Sequence, residues 1–196
     1  MAKRAALAEN EHFYVRELGP KEIESAAKVI AATRKNPEGG GFINEELEGL
    51  EQHYKRMLNS AKKSRKSLLL GLYDKSTNKL AGVAGIAPLD VFGERYSVNI
   101  YRLLREHLGE KTPAQRTVGF LFGLGVKAEH ENKSGAKVLT EVREQFANGK
   151  FGHLVLDTQN PKIKHIYSSR GYTHLGSFGG VVTPGITWHV YHKQIK

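Results

Sequence analysis

RTVGFLFGLGVKAEHENKSGAKVLTEVREQFAN, residues Arg116–Asn148, reads as one apolar strand running through a short polar turn into an amphipathic helix. Val118, Phe120, Phe122, Leu124 and Val126 alternate with Gly119, Leu121, Gly123 and Gly125. That period of two predicts a strand with one bulky face and one largely bare face, which a second backbone or a ligand can approach. Beyond the turn, Ala136, Leu139, Val142, Phe146 and Ala147 recur at helical spacing, and Asn148-Gly149 supplies a C-terminal stop.

Between strand and helix, Ser134, Gly135 and Ala136 put small residues where the helix begins. Its first N–H groups are then uncovered, and with the helix dipole they favour an anion such as a phosphate. Lys133 and Lys137 add positive charge on either side. The alternative is an ordinary strand-to-helix turn with Ser134 as N-cap. GxxxxGK[ST] cannot be fitted here, so this is not a Walker loop.

Outward from this unit, Phe13–Leu18 predicts a strand, and Gly19-Pro20 opens a helix whose stripe is Ile23, Ala26, Ala27, Val29 and Ile30. A glycine-rich link, Glu38-Gly39-Gly40-Gly41, precedes a second helix expected from Asn44 to about Leu58. It reads as a mobile substrate lip or as a plain connector. Ser67–Tyr73 and Leu80–Pro88 flank six turn-forming residues and predict an antiparallel hairpin. Ile100, Leu103, Leu104 and Leu108 then suggest a helix stopped by Gly109. After the central unit come a strand at His153–Asp157, a short helix to Arg170, and strands at Tyr172–Phe178 and Thr187–Lys193.

Length and composition suit one domain. The chain has 196 residues, 39% of them hydrophobic. Residues 1–12 are expected to be a disordered basic tail, with no signal-peptide core, and no apolar run approaches membrane-spanning length. A cytoplasmic location is expected. Absence of cysteine excludes disulfides, thiolate metal sites and a cysteine nucleophile. A net charge of +10 raises nucleic-acid binding as a function class. The dense basic run Lys62-Lys63-Ser64-Arg65-Lys66 is better read as a solvated loop, and no RNA-binding or helix-turn-helix signature accompanies it. His189 and His192 on the last strand fall on opposite faces, and no metal-ligand set emerges.

The element order, a mixed and largely antiparallel sheet with helices, is α+β. Together with two motifs it resembles the GNAT superfamily of acyl-CoA-dependent N-acetyltransferases. The family loop Val-x-Pro-x-x-[Gln/Arg]-x-x-Gly-x-[Gly/Ala] aligns with Val126, Ala128, Glu131, Ser134 and Ala136, departing at the middle three. LVLDTQNPKIKHIYSSRGY, Leu154–Tyr172, carries Asn160, Ile166, Tyr167, Gly171 and Tyr172 at the family's intervals. The resemblance implies a three-layer fold over residues 13–196 as a single domain, with an insertion at about 89–113. It implies acetyl-CoA as co-substrate without a metal, and transfer of an acetyl group to a primary amine of a small molecule or protein. Leu124 and Val126 would hold the pantetheine arm through their backbones. The amides from Lys133 through Ser134, Gly135 and Ala136 to Lys137 would take the pyrophosphate, and Asn160 would hydrogen-bond the pantetheine. Tyr167 would protonate the departing thiolate.

The glutamate that many members carry six residues before the loop valine is Phe120 here, which leaves Asp90, Asp157, His130 or a water relay as the proton acceptor. A non-catalytic acyl-CoA-binding module is the second reading and a nucleic-acid binder the third. A homodimer is left open.

Overall fold

A computed structural model describes residues 5–35, 47–131, 133–159, 164–179 and 187–195. The first strand, β1, is Ala8–Glu9, and β2 is Phe13–Glu17. A 3-10 turn at Pro20–Glu22 leads into α1, Ile23–Lys35, and α2 spans Leu47–Lys62. Strands β3, Leu68–Asp74, and β4, Leu80–Pro88, form the expected hairpin. Helix α3, Glu94–Leu108, follows a 3-10 turn at Leu89–Phe92 and stops at Gly109, whose φ of 58° suits glycine. The central unit is β5, Val118–Val126, with α4, Gly135–Ala147. Last come β6, His153–Thr158, α5, Lys164–Ser169, β7, Thr173–Gly179, and β8, Thr187–Gln194.

The eight strands form one sheet in the order β1-β2-β3-β4-β5-β6-β8-β7. Neighbours are antiparallel except β5 and β6, which are parallel because α4 carries the chain back between them. Helices α1 and α2 cover one face, where Ile30, Leu50 and Leu58 meet Val83, Phe120 and Phe122, and Ile100 and Leu104 of α3 extend that layer. On the other face Leu139 and Val142 of α4 and Tyr167 of α5 meet Leu70, Leu72, Ile86 and Tyr191. Burial on both sides explains why β3 and β4 are continuous apolar runs instead of alternating ones.

Two expectations change. The tail does not reach residue 12, because Ala8 and Glu9 pair with Val15 and Tyr14, and Asn10 accepts the amides of His12 and Phe13 to turn the chain. The alternation along β5 also breaks. Val83 faces Gly125 and Gly85 faces Phe122, so β5 carries one extra residue in a bulge where Gly123 has φ 61°. Val118, Phe120 and Phe122 pack toward α1, whereas Leu124 and Val126, beyond the bulge, pack with the α4 face.

The glycine face is therefore not bare. A Cβ at Gly125 would lie 2.5 Å from Thr33 Oγ1, one at Gly123 3.0 Å from Ile30, and one at Gly119 2.9 Å from Phe151. These glycines admit neighbouring side chains. The Glu38–Gly41 link, the Asn44 helix start and the turns at Gly180 and Pro184-Gly185 lie outside the described residues. No helix among the described residues is long and apolar enough to cross a membrane.

Candidate active site

The parallel register between β5 and β6 covers Val118↔His153 to Leu121↔Leu156 and ends there. Strand β5 continues to Val126, still paired with β4, while Asp157 and Thr158 of β6 pair with β8. A wedge opens between the two strands from Phe122 onward. Backbone N–H and C=O groups along that edge of β5 have lost their sheet partner, and such groups seek another acceptor or donor. Leu124 and Val126, both half-buried, stand at this edge.

The wedge leads to the start of α4. Ser134 is in the left-handed region, φ 60° and ψ 14°, and its side chain caps nothing, so the N-cap reading fails. Its carbonyl accepts the Val138 amide at 3.1 Å, while Lys133, Ser134, Ala136 and Lys137 are exposed. The helix thus opens without a capping side chain and with two lysines beside it, as an anion site requires. Asn10 steadies this turn by donating to the Lys133 carbonyl at 3.3 Å.

Gly135 plays a different part from the one expected. It is buried, and a Cβ there would lie 2.5 Å from Leu72 Cδ2. Ala136, assigned to the apolar stripe from its spacing, is exposed, and Gly135 takes the inward position. Glu131 lines a groove of about 650 Å³ on the α1 side together with Lys28, Thr33 and Lys127.

Tyr167 is 8% exposed, with its ring edge-on to Tyr172 and tilted against Tyr191, each at 5.6 Å. Its carbonyl accepts the amides of Arg170 and Tyr172, both at 3.0 Å, which closes α5 and fixes the ring's origin. The Tyr172 hydroxyl donates to Glu144 Oε1 at 3.0 Å, and burial followed by the Glu144 charge raises its pKa.

Beside this group lies a residue that the sequence did not flag. Arg143 of α4 is 1% exposed. Its Nη1 donates to the Gly85 carbonyl at 3.5 Å, its Nη2 to Thr140 Oγ1 at 3.3 Å, and its Nε has no partner. The only available signal was its phase, four residues after Leu139 on the apolar stripe, where a cation is out of place.

The proposed proton acceptors disperse. Phe120 is fully buried, and Phe92 sits edge-on to it at 5.3 Å and to Phe122 at 4.8 Å. The His130 imidazole packs on Phe13 and stands 3.8 Å from Asp74, whose carboxylate is tied to the β3–β4 turn by Ser76 and Thr77. It is a structural histidine. Asp90 is exposed on the 3-10 turn, and Asp157 is half-buried at the β6 side of the wedge. Asn160 lies outside the described residues. His189 and His192 do face opposite ways. His189 lies 2.8 Å from Ser177 Oγ, and His192 stacks on His153.

No family model matches the sequence, and neither does any curated protein. Solved structures are similar throughout the chain. An acetyltransferase of the GNAT family from Streptococcus pneumoniae aligns over 94% of this chain and 99% of its own, with TM-score 0.58 and 19% identity. An N-acyl amino acid synthase from uncultured soil microbes aligns over 93% and 90%, with TM-score 0.66 and 15% identity. The ribosomal-protein-alanine N-acetyltransferase of Brucella melitensis aligns over 92% and 99%, with TM-score 0.61 and 14% identity. The mixed eight-stranded sheet with its flanking helices has the GNAT fold.

Proposed function

We propose that the protein is a cytoplasmic, acyl-CoA-dependent N-acyltransferase that moves an acetyl group from acetyl-CoA to a primary amine of a small molecule or protein. The observation that carries this reading is the wedge, where β5 and β6 part after Leu121↔Leu156 and lead to an uncapped helix start flanked by lysines. An extended, amide-bearing arm ending in a pyrophosphate matches both features. Backbone groups of Leu124 and Val126 receive the arm, as does Asn160 by the motif. The α4 amides with Lys133 and Lys137 receive the pyrophosphate. Among the similar structures, one is named for amino acids as acceptors and another for a protein alanine, so both acceptor sizes suit the fold.

In the reaction, the lone pair of a neutral amine forms the C–N bond, the C–S bond breaks, and Tyr167 gives its hydroxyl proton to sulfur. The amine's proton leaves through water, since Phe120 occupies the place of the familiar base. Phe120 also motivates the second reading, binding of acyl-CoA without turnover.

One experiment separates them. Acetyl-CoA and CoA are expected to raise the melting temperature by mass action, and acetyl-CoA with a panel of amines to release CoA thiol. Binding without thiol release selects the second reading. An unchanged melt at millimolar CoA rejects both.

A further inference from the structure

The wedge between β5 and β6 opens on both faces of the sheet. Leu156, the last β6 residue paired with β5, faces α4 and α5 together with its β8 partner Tyr191, and the Tyr167 ring stands 5.6 Å from Tyr191 on that side. Asp157 comes next and points the other way, because successive side chains alternate along a strand. It pairs with Val190 and follows Val155 by two, and both valines belong to the cluster beneath α1, α2 and α3. One further step of the parallel register sets Asp157 level with Phe122 across the opening. Phe122 lies on the same face, with Phe92 edge-on to it at 4.8 Å, and Trp188, two residues before Val190, packs against the same cluster. Phe92, Asp157 and Trp188 are each half-buried. Asp157 is the only carboxylate that β5, β6 and β8 carry. The α1–α3 mouth of the wedge thus sets one carboxylate into an apolar, aromatic face, with Tyr167 on the opposite face.

We infer that Asp157 selects the acceptor, holding the ammonium group of a primary amine with an apolar body that enters from the α1–α3 face. This rests on the acyltransferase reading and names the substrate class of that site. A carboxylate partly withdrawn from water attracts a cation more strongly than a fully exposed one. The neighbouring rings suit an ammonium and the apolar carbons attached to it. A second charge on the acceptor would meet rings, so a diamine fits poorly. The bound ammonium first loses one proton through water to Asp157, which passes it to solvent. The freed lone pair then forms the C–N bond, the C–S electron pair goes to sulfur, and sulfur takes the Tyr167 proton. A second amine proton returns to Tyr167 through water, so no further reactant is needed. With the anchor on one face and the acid on the other, attack and departure do not compete for space.

The test follows CoA thiol release from acetyl-CoA with 2-phenylethylamine and with putrescine. The parent is expected to favour 2-phenylethylamine in kcat/KM by about tenfold or more, the scale on which a charge left without a partner is penalised. Asp157→Asn, which keeps the shape and removes the charge, should raise KM for that amine by about 10- to 100-fold with KM for acetyl-CoA little changed. Asp157→Glu should recover part of the loss. Equal use of putrescine by the parent overturns the substrate class, and an unchanged amine KM in Asp157→Asn overturns the anchor.

A second measurement needs no turnover. Calorimetry on the complex with CoA, which has no acyl group to transfer, should show the parent binding 2-phenylethylamine about tenfold tighter than the uncharged 2-phenylethanol. Asp157→Asn should erase that preference. A parent that binds amine and alcohol alike overturns the inference whether or not the variant folds. If the parent releases no thiol with either amine, the acyltransferase reading fails, and this comparison still decides whether Asp157 holds an ammonium.

Discussion

At the residue scale, Tyr167 and Gly135 show how far a motif carries. The motif singles out Tyr167 by its spacing to Gly171 and Tyr172, and the structure shows its ring buried against Tyr172 and Tyr191. A CoA thiol ionises near the ordinary cysteine value, about 8.5, so the thiolate leaves tolerably at neutral pH but gains from a proton. Tyr167→Phe is therefore predicted to lower kcat by about 10² to 10⁴ while leaving CoA affinity and stability nearly unchanged, as steady-state kinetics and calorimetry can check. Retention of near-full kcat with chemistry rate-limiting would return Tyr167 to a packing role. Gly135 was read as an open approach to phosphate, but its neighbour is Leu72 Cδ2. Substituting it tests packing as much as binding. Lys137→Glu is the cleaner probe, being exposed, and is expected to weaken CoA binding by about tenfold at low salt and less at high salt, with an unchanged melting temperature. Equal affinity at low salt would remove the α4 start from the cofactor site. Arg143 was illegible because sequence alone gives an arginine on a helix no depth; only the packed tertiary structure shows that it is buried.

At the scale of elements, periodicity gave the strands and helices but not their phase or spatial order. The run of alternating glycines in β5 hides the bulge, since a one-residue slip among glycines leaves no missing side chain to notice. Gly123 is what makes it possible. A side chain there meets φ 61° and Ile30 at 3.0 Å. Gly123→Ala is predicted to destabilise by about 1–2 kcal/mol, measured as a lower urea midpoint, from the left-handed backbone alone. Deleting Gly123 restores simple alternation with Leu124 and Val126 still on the α4 face, and removes the bulge that bends this end of β5. A folded deletion variant should then lose CoA binding, and one that binds normally would show that the bulge does not set the cofactor edge. Nor did the sequence reveal that β8 lies between β6 and β7, because antiparallel connections of either order read alike. The short β1 escaped notice for want of length, with two residues held by backbone pairing to β2. Helix α3, by contrast, was plain from its stripe and from Gly109. Its leading turn brings Phe92 over Phe120 and Phe122, so Phe92→Ala is expected to change acceptor KM more than CoA affinity. An unchanged acceptor profile would assign residues 89–113 to scaffolding.

At the scale of the whole molecule, acid stability should be governed by histidines remote from the wedge. His192 of β8 is 5% exposed, stacked on His153 at 5.2 Å, and near His107 of α3 at 6.0 Å between ring centroids. The His153 Nδ1 and His192 Nε2 atoms stand 2.9 Å apart, so one must donate and the other accept, which requires a neutral ring. Burial first, and then the His153 and His107 charges, push the His192 pKa down to about 4. The unfolded chain binds this proton near pH 6.5, whereas the folded chain refuses it until about pH 4. Stability is thus fully present above pH 6.5, falls as pH drops through this window, and levels below it. At about 1.4 kcal/mol per pH unit the loss is at most about 3.5 kcal/mol. Glu22 acts lower down. Hydrogen bonds from Arg16, and then from Tyr73 and the Gly19 amide, hold its pKa at about 2, so its contribution is present above pH 4.5 and fades toward pH 2. Urea unfolding across pH 2 to 7 should therefore show two separable declines. His192→Phe, which keeps an aromatic ring but cannot titrate, is predicted to flatten the upper decline and leave the lower one intact. If the variant still loses the same stability between pH 6.5 and 4, the histidine stack is not its source.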